Sequence, residues 1–368
     1  RLQRLPGRPG PHPGAEGGGR GGAKAGGPLH RPPPPGARGA GGPEGPGGLG
    51  LRTASKLILM ENLRALLYAE EKEGGAKGAL LKEGTIGKII FGDNLDVLRS
   101  LPSESVDLIY IDPPFNTGKV QRRTRIKVEP SDVGDRVGFG GKRYRTITLE
   151  ERSYLDIFDD YLAFLEPRLR EAYRVLAPHG SLYFHIDYRE SHYCKVLLDS
   201  IFGRNSFLNE IIWAYDYGGR PKDRWPPKHD TIFLYVKNPG KHVFNRDEVD
   251  RIPYMAPDLV GPEKASRGKL PTDVWWHTIV PTNSKERTGY PTQKPLGILR
   301  RIVRASSRPG DLVLDFFAGS GTAGAAALEL GRKFILVDNN PQALEVMAKR
   351  FRGVKGIEWL GFDPSPYW

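Results

Sequence analysis

DLVLDFFAGSGTAGAAALELGRKFILVD, residues 311–338, is the stretch whose reading decides the fold. DLVLDFF has the length and apolar continuity of a strand buried on both faces. AGSGT is a glycine turn, AGAAALELG a helix of small residues, and KFILVD a second buried strand. Strand, turn, helix and strand make one βαβ unit, whose two strands lie parallel. The same alternation continues outward. IGKIIF (86–91) reads as a strand stopped by Gly92, and DNLDVLRSLP as a helix capped at Asp93 or Asn94 and ended by Pro102. VDLIYI (106–111) and SLYFHID (181–187) are further buried strands, while NEIIWAY (209–215) and HDTIFLYVK (229–237) pair as one antiparallel hairpin. The fold class is α/β, with a mixed, mostly parallel sheet. Ligands in such folds sit beyond the carboxyl ends of the strands.

Helical periodicity predicts helices over 57–83, 154–176 (with Pro167 as a kink or break), 189–202, 295–307 and 341–351. Residues 117–150 hold nine Lys/Arg, four acids and five glycines without a sustained period, and read as a mobile basic loop. Residues 238–289 read as a small accessory domain or a set of long loops.

The glycine turn carries chemistry. Gly319, Gly321 and Gly324 satisfy G-x-G-x-x-G, and Asp338 ends the next strand, where an acid accepts hydrogen bonds from ribose hydroxyls. A dinucleotide and S-adenosylmethionine (SAM) both contain that adenosine. Asp315, at the end of the first strand, would repel a pyrophosphate but pair with the cationic amino group of SAM. The bland alternative is a tight turn that lets helix and sheet pack closely.

A second stretch, IYIDPPFNTG (109–118), ends a buried strand in an acid, two prolines and an aromatic. Pro113 has no N–H, and Pro114 restricts Pro113 to an extended conformation. Asp112 and a proline carbonyl then make two acceptors a short distance apart, matched to the two donors of an exocyclic amino group. Phe115 offers a face on which a base can stack. Read alone, the stretch serves equally as a strand terminator.

Composition limits the surroundings. Residues 1–50 contain 18 of the 46 glycines and 11 of the 32 prolines, with seven Lys/Arg against two acids. Such a segment buries too little to offset its ordering entropy, so residues 1–55 read as a disordered Gly/Pro/Arg-rich tail. The first methionine is Met60, and a translation start at or near it is expected, the upstream stretch being leader or dispensable tail. The net charge of +12 favours polyanionic partners. No apolar run approaches the ~20 residues that span a bilayer, and a cytoplasmic, nucleoid-associated location is expected. Cys194 is the sole cysteine and reads as a small buried residue. His185 and His229 lack a second ligand at useful spacing, so no metal is expected.

Together IDPPFNTG, YPTQKP (290–295) and DFFAGSGT (315–322) resemble the DNA amino-methyltransferases, which methylate adenine at N6 or cytosine at N4. The order of the stretches resembles the beta group of that family, over roughly residues 85–352. The resemblance implies a Rossmann-like, circularly permuted SAM-dependent methyltransferase domain (56–239 and 289–368) with a target-recognition segment at 240–288. GKIIFGD at 87–93 then supplies, from the N-terminal side, the strand that the SAM half lacks after Asp338. By resemblance Asp112, Pro113, Pro114 and Phe115 form the catalytic stretch. Asp315, Phe317, Gly319, Ser320, Gly321 and Thr322 match the SAM-binding stretch, with Asp338 on the ribose and Asp93 near the adenine ring. Lys294 and Pro295 match the region that helps close over SAM. The implied reaction is direct in-line methyl transfer to a flipped base, without a covalent enzyme intermediate.

Double-stranded DNA is the expected partner. Lys119, Arg220, Lys222, Arg224 and Lys228 would contact phosphates, and Trp225 or Tyr217 would stack on bases. Trp275-Trp276-His277 reads as packing against the main domain. A homodimer and a cognate restriction enzyme are expected from the resemblance. Aspartate at the head of the catalytic stretch favours adenine, with cytosine-N4 as the alternative. A methyltransferase of RNA or protein, whose stretch usually begins with Asn, and a DNA-binding protein with a degenerate site are the other readings.

Overall fold

The computed structural model describes residues 80–368 apart from 117–118, 132, 134–135, 138–142, 157 and 159. The Gly/Pro/Arg-rich segment, Met60 and residues 57–79 of the expected helix lie outside the described residues. Residues 80–83, the expected end of that helix, are not helical.

In chain order the elements are β1 (Gly87–Phe91), α1 (Asn94–Ser100), β2 (Val106–Ile111), β3 (Lys119–Pro130), β4 (Arg136–Val137) and β5 (Arg143–Asp156). Next come α2 (Tyr161–Val175), β6 (Leu176–Ile186), α3 (Ser191–Phe202), β7 (Phe207–Ala214), β8 (His229–Val236), α4 (Pro262–Arg267) and β9 (Val274–Trp276). The C-terminal part holds α5 (Leu296–Ser306), β10 (Leu312–Asp315), α6 (Thr322–Glu329), β11 (Lys333–Asp338), α7 (Pro341–Arg350) and β12 (Ile357–Leu360).

Nine strands form one sheet in the order β12-β1-β11-β10-β2-β6-β8-β7-β9. The run from β12 to β6 is parallel, and β8 and β7 add the antiparallel hairpin. Side chains alternate between the sheet's faces, and both faces are covered. Ile109 and Ile111 of β2 join Leu314, Leu98, Leu165, Leu169 and Leu198 in one core, with helices α1, α2 and α3. Leu108 and Tyr110 join Val313, Ile298, Ile302, Ala326 and Met347 in the other, with α5, α6 and α7. Gly324 lets α6 close onto β11, since a Cβ there would lie 2.7 Å from Leu336 Cδ1.

Two features of this order position the site. First, β2 and β10 are neighbours, with Ile109 opposite Leu314. Asp112 and Asp315, some 200 residues apart in sequence, therefore leave the sheet side by side. Second, β1 lies beside β11, with Phe91 opposite Asp338. The N-terminal strand thus completes the half of the sheet begun by β10 and β11, which is the permuted arrangement. The chain's tail was read as strandless, yet β12 pairs with β1 on its outer side.

Residues 117–150 are not a loop in their described part. β3 and β5 pair antiparallel from Lys119↔Asp156 to Pro130↔Tyr144, with β4 added, as a separate three-stranded sheet. The sequence of this stretch interleaves β-branched residues with a run of basic ones, and that charge hid the strand signal. β5 also occupies 154–156, and α2 begins only at Tyr161, where Asp160 caps it by accepting from the Ala163 N–H. Pro167 lies inside α2 without ending it. In 238–289 the short β9 extends the sheet edge beside β7.

Candidate active site

The glycine turn after β10 is held by acids. Gly319 and Gly321 have φ of 50° and 73°, in the left-handed region that glycine enters without steric cost. Asp338 Oδ2 accepts from the Gly319 N–H at 2.7 Å, and its Oδ1 accepts from the Asn340 N–H at 2.8 Å. Asp315 Oδ1 accepts from the Phe317 N–H at 3.0 Å. Side chains have no room at the turn: a Cβ on Gly319 would lie 3.1 Å from the Tyr290 ring, and one on Gly321 2.9 Å from Met347 Cγ.

These buried carboxylates are costly to ionise. Burial lifts Asp315 well above the ordinary carboxylate range, and the nearby charges of Asp112 and Asp338 add to the effect. Burial raises Asp338 to about 6, against its backbone hydrogen bonds. A cation and hydroxyl donors would relieve both. The turn therefore fits the amino group and ribose of a nucleoside carrying a cationic tail, and does not fit a pyrophosphate.

Asp112, just past β2, has unequal oxygens. Lys294 Nζ lies 2.7 Å from Oδ2 and sits 4.6 Å from the Phe115 ring centroid. Oδ1 is buried without a hydrogen-bond partner among the described residues. A buried acceptor left open costs about 1–3 kcal/mol, so an open one beside a cavity marks a place for a donor. The flanking chain is pinned. Tyr161 donates its hydroxyl to the Pro114 carbonyl at 2.6 Å, and Asn116 donates to Glu190 and accepts from the Phe158 N–H. The Thr322 hydroxyl donates to the Lys294 carbonyl at 3.3 Å, which ties the Lys294 loop to the glycine turn.

One cavity of about 600 Å³ brings these pieces together. Its lining includes Asp93, Asp112, Pro113, Pro114, Phe115, Lys294, Asp315, Phe317, Gly319, Ser320, Thr322 and Asp338. Gly321 and Pro295 stand just behind it, as the caps of α6 and α5. Asp93 caps α1 by accepting from the N–H groups of Leu95 and Asp96, and pairs with Arg168 at 3.3 Å.

Sequence reading missed several lining residues, among them Tyr110, Phe158, Phe164, Arg168, Tyr290, Gln293 and Asn340. Tyr290 and Gln293 lie within the quoted YPTQKP. Arg168 carried no local signal, because α2 brings it to Asp93 and Asn94 only through the fold.

The cationic residues expected on DNA lie elsewhere. Arg220, Lys222, Arg224 and Trp225 are exposed on the connector between β7 and β8. That connector lies at the cavity's end of the sheet, since Thr231 near the start of β8 faces Ile186 at the end of β6. Arg220 and Arg224 have the acidic neighbours Asp216 and Asp223. Lys228 instead donates to the carbonyls of Tyr217 and Gly218, both at 2.9 Å, and staples the connector. Lys119 opens β3. Trp275 packs as expected, whereas Trp276 is 78% exposed.

Both ring nitrogens of His185 are engaged, by Tyr110 and Asp230, which leaves none for a metal. Asp107, His179 and Asp311 bring ligand atoms within 4.8 Å of one another at the amino end of the strands, away from the cavity. Cys194 is buried, and burial pushes its thiol up to about 12, so it is no nucleophile.

A buried glycine turn lined by acids, beside a cavity with an open acceptor and an aromatic face, defines an α/β group-transfer enzyme acting on a nucleoside-like ligand. The DNA methylase family model covering N6 and N4 enzymes matches residues 106–350, and the chain belongs to that family. Its curated relatives include the type II methyltransferase M.HpaI of Haemophilus parainfluenzae, 32% identical over 75% of this chain and 76% of the relative. DNA adenine methyltransferase YhdJ of Escherichia coli is also 32% identical, over 71% of this chain and 81% of the relative. Among solved structures, the cytosine-N4-specific PvuII DNA methyltransferase superposes with a TM-score of 0.49 at 18% identity, covering 77% of this chain and 90% of that one.

Proposed function

We propose that the protein transfers a methyl group from SAM to N6 of adenine in double-stranded DNA. One observation carries the reading: Asp112 is held by Lys294 through one oxygen and presents the other, unpartnered, beside Phe115. SAM supplies an electrophilic methyl on a sulfonium. Asp315 would pair with its amino group, Asp338 and the glycine turn would hold the ribose, and Asp93 would lie toward the adenine ring. Asp112 Oδ1 and the Pro113 carbonyl then grip the two N–H groups of the flipped base, the Pro114 carbonyl being engaged by Tyr161. Two in-plane acceptors turn the nitrogen lone pair out of the base plane, toward the methyl. In the transfer the N–C bond would form as the S–C bond breaks, the sulfur would leave as the neutral thioether of S-adenosylhomocysteine, and the proton lost by the nitrogen would pass to solvent.

Aspartate at position 112 is what favours adenine. The exocyclic amine of cytosine has the same two donors, so cytosine-N4 is the alternative. A connector bearing Arg220, Lys222, Arg224 and Trp225, together with the β3–β5 ribbon from Lys119 onward, would flank the DNA, and 240–288 would contribute to target recognition. The proposal includes a homodimer, for which Phe244, Met255, Leu259 and Trp276 offer exposed apolar surface, a cognate restriction enzyme, and action on nucleoid DNA in the cytoplasm. Incubation with labelled SAM and DNA tests the reaction: label in the exocyclic amine of adenine supports it, and unlabelled DNA overturns it.

A further inference from the structure

Behind the cavity runs a line of polar groups that methyl transfer itself does not call on. The Tyr110 hydroxyl is 2.9 Å from His185 Nδ1, and His185 Nε2 is 3.1 Å from Asp230 Oδ2. The other Asp230 oxygen accepts from the Tyr215 hydroxyl at 3.0 Å. His185 is wholly buried between Trp213 and Phe115, and Asp230 is nearly so. Tyr110 lines the cavity itself.

The hydrogen bonds fix one another's direction. Burial works against the Asp230 carboxylate. The hydrogen bonds from His185 and Tyr215 and the charge of Lys294 nevertheless hold it below its ordinary value. An ionised Asp230 only accepts. His185 therefore donates from Nε2, and the tautomer that carries its proton there accepts at Nδ1. The Tyr110 proton is committed to that nitrogen. Burial and the charges of Asp112, Asp315 and Asp230 keep the phenol protonated.

We propose that Asp230 and His185 are positioning residues for Tyr110, turning its proton inward so that its oxygen meets the cavity as an acceptor only, on the side of a positively charged methyl donor. A lone-pair oxygen attracts a sulfonium and its polarised methyl, and gains nothing from the neutral thioether left after transfer. The relay thus favours the charged cofactor over its spent product, and rests on the SAM reading of the site.

The test is calorimetric binding of SAM and of S-adenosylhomocysteine to the full chain, as wild type, Tyr110→Phe and Asp230→Asn. Each variant is expected to lower the preference for SAM over S-adenosylhomocysteine at least about tenfold, the scale of one hydrogen bond to a charged group. Affinity for S-adenosylhomocysteine should stay within about twofold on the same scale. Equal weakening of both ligands would mark a purely structural network and overturn the relay, as would an unchanged preference in either variant. Wild-type protein that binds neither ligand would overturn the SAM reading, and the relay with it.

Discussion

The glycine turn and the β7–β8 connector stand at the same end of the sheet, yet they are built in opposite ways. In the turn, acids are buried and spoken for by backbone N–H groups, and a single added methyl would collide with Tyr290 or Met347. In the connector, Arg220, Lys222, Arg224 and Trp225 are exposed, and Trp225 is 93% so. Its internal order comes mainly from one cation, Lys228, on its own carbonyls. A small cofactor needs a rigid, pre-shaped cradle. A long polyanion needs charge within reach, and geometry matters less.

If that contrast is right, damage at the buried end should be large and specific to chemistry or cofactor. Asp112→Ala should reduce methyl transfer by at least about 10³-fold, the scale of losing a preorganised polar group in a closed site. SAM affinity, measured by calorimetry, should barely change. Gly319→Val should weaken SAM by roughly 10²-fold, since left-handed backbone strain and the Tyr290 contact both oppose the side chain. Unchanged affinity would make Gly319 a packing glycine only.

The acids add a pH test. Burial raises Asp338 to about 6. A carboxylate accepts from ribose hydroxyls best when ionised, so SAM bound as proposed is expected to lower that pKa. Affinity should be full above pH 6 and fall as the pH drops through it, approaching about tenfold per unit for one linked proton. A flat profile between pH 5 and 7 would remove Asp338 from the cofactor contact.

At the exposed end effects should be smaller and depend on salt. Replacing Arg220, Lys222 and Arg224 together by Ala should weaken DNA binding and flatten its log–log salt slope by about 2–3, near 0.9 per lost phosphate contact. SAM affinity should stay constant. A loss of SAM binding would show that the connector shapes the cradle.

The same contrast governs what the sequence disclosed. The βαβ unit, Asp112 and the glycine turn were legible because local rules set them: an apolar run, a proline pair, a left-handed glycine. Their meeting followed from chain order. Lys294 was legible only by resemblance, and its pairing with Asp112 joins residues far apart in sequence. The relay of Tyr110, His185 and Asp230 was not legible, because its members come from β2, β6 and β8 and only the sheet order makes them neighbours. The ribbon of β3 and β5 escaped because basic residues interrupt the apolar pattern on which strand reading rests. β12 escaped because its four residues are each only half-buried.

This cradle and this open carboxylate oxygen are proposed to act together in methylating an exocyclic amine in DNA. The most direct measurement is to incubate the protein with isotopically labelled SAM and genomic DNA, digest to nucleosides, and identify the labelled base by mass. Label is expected in N6-methyldeoxyadenosine. Label in N4-methyldeoxycytidine would contradict the choice of base, and DNA without a labelled nucleoside would contradict methyl transfer to DNA altogether.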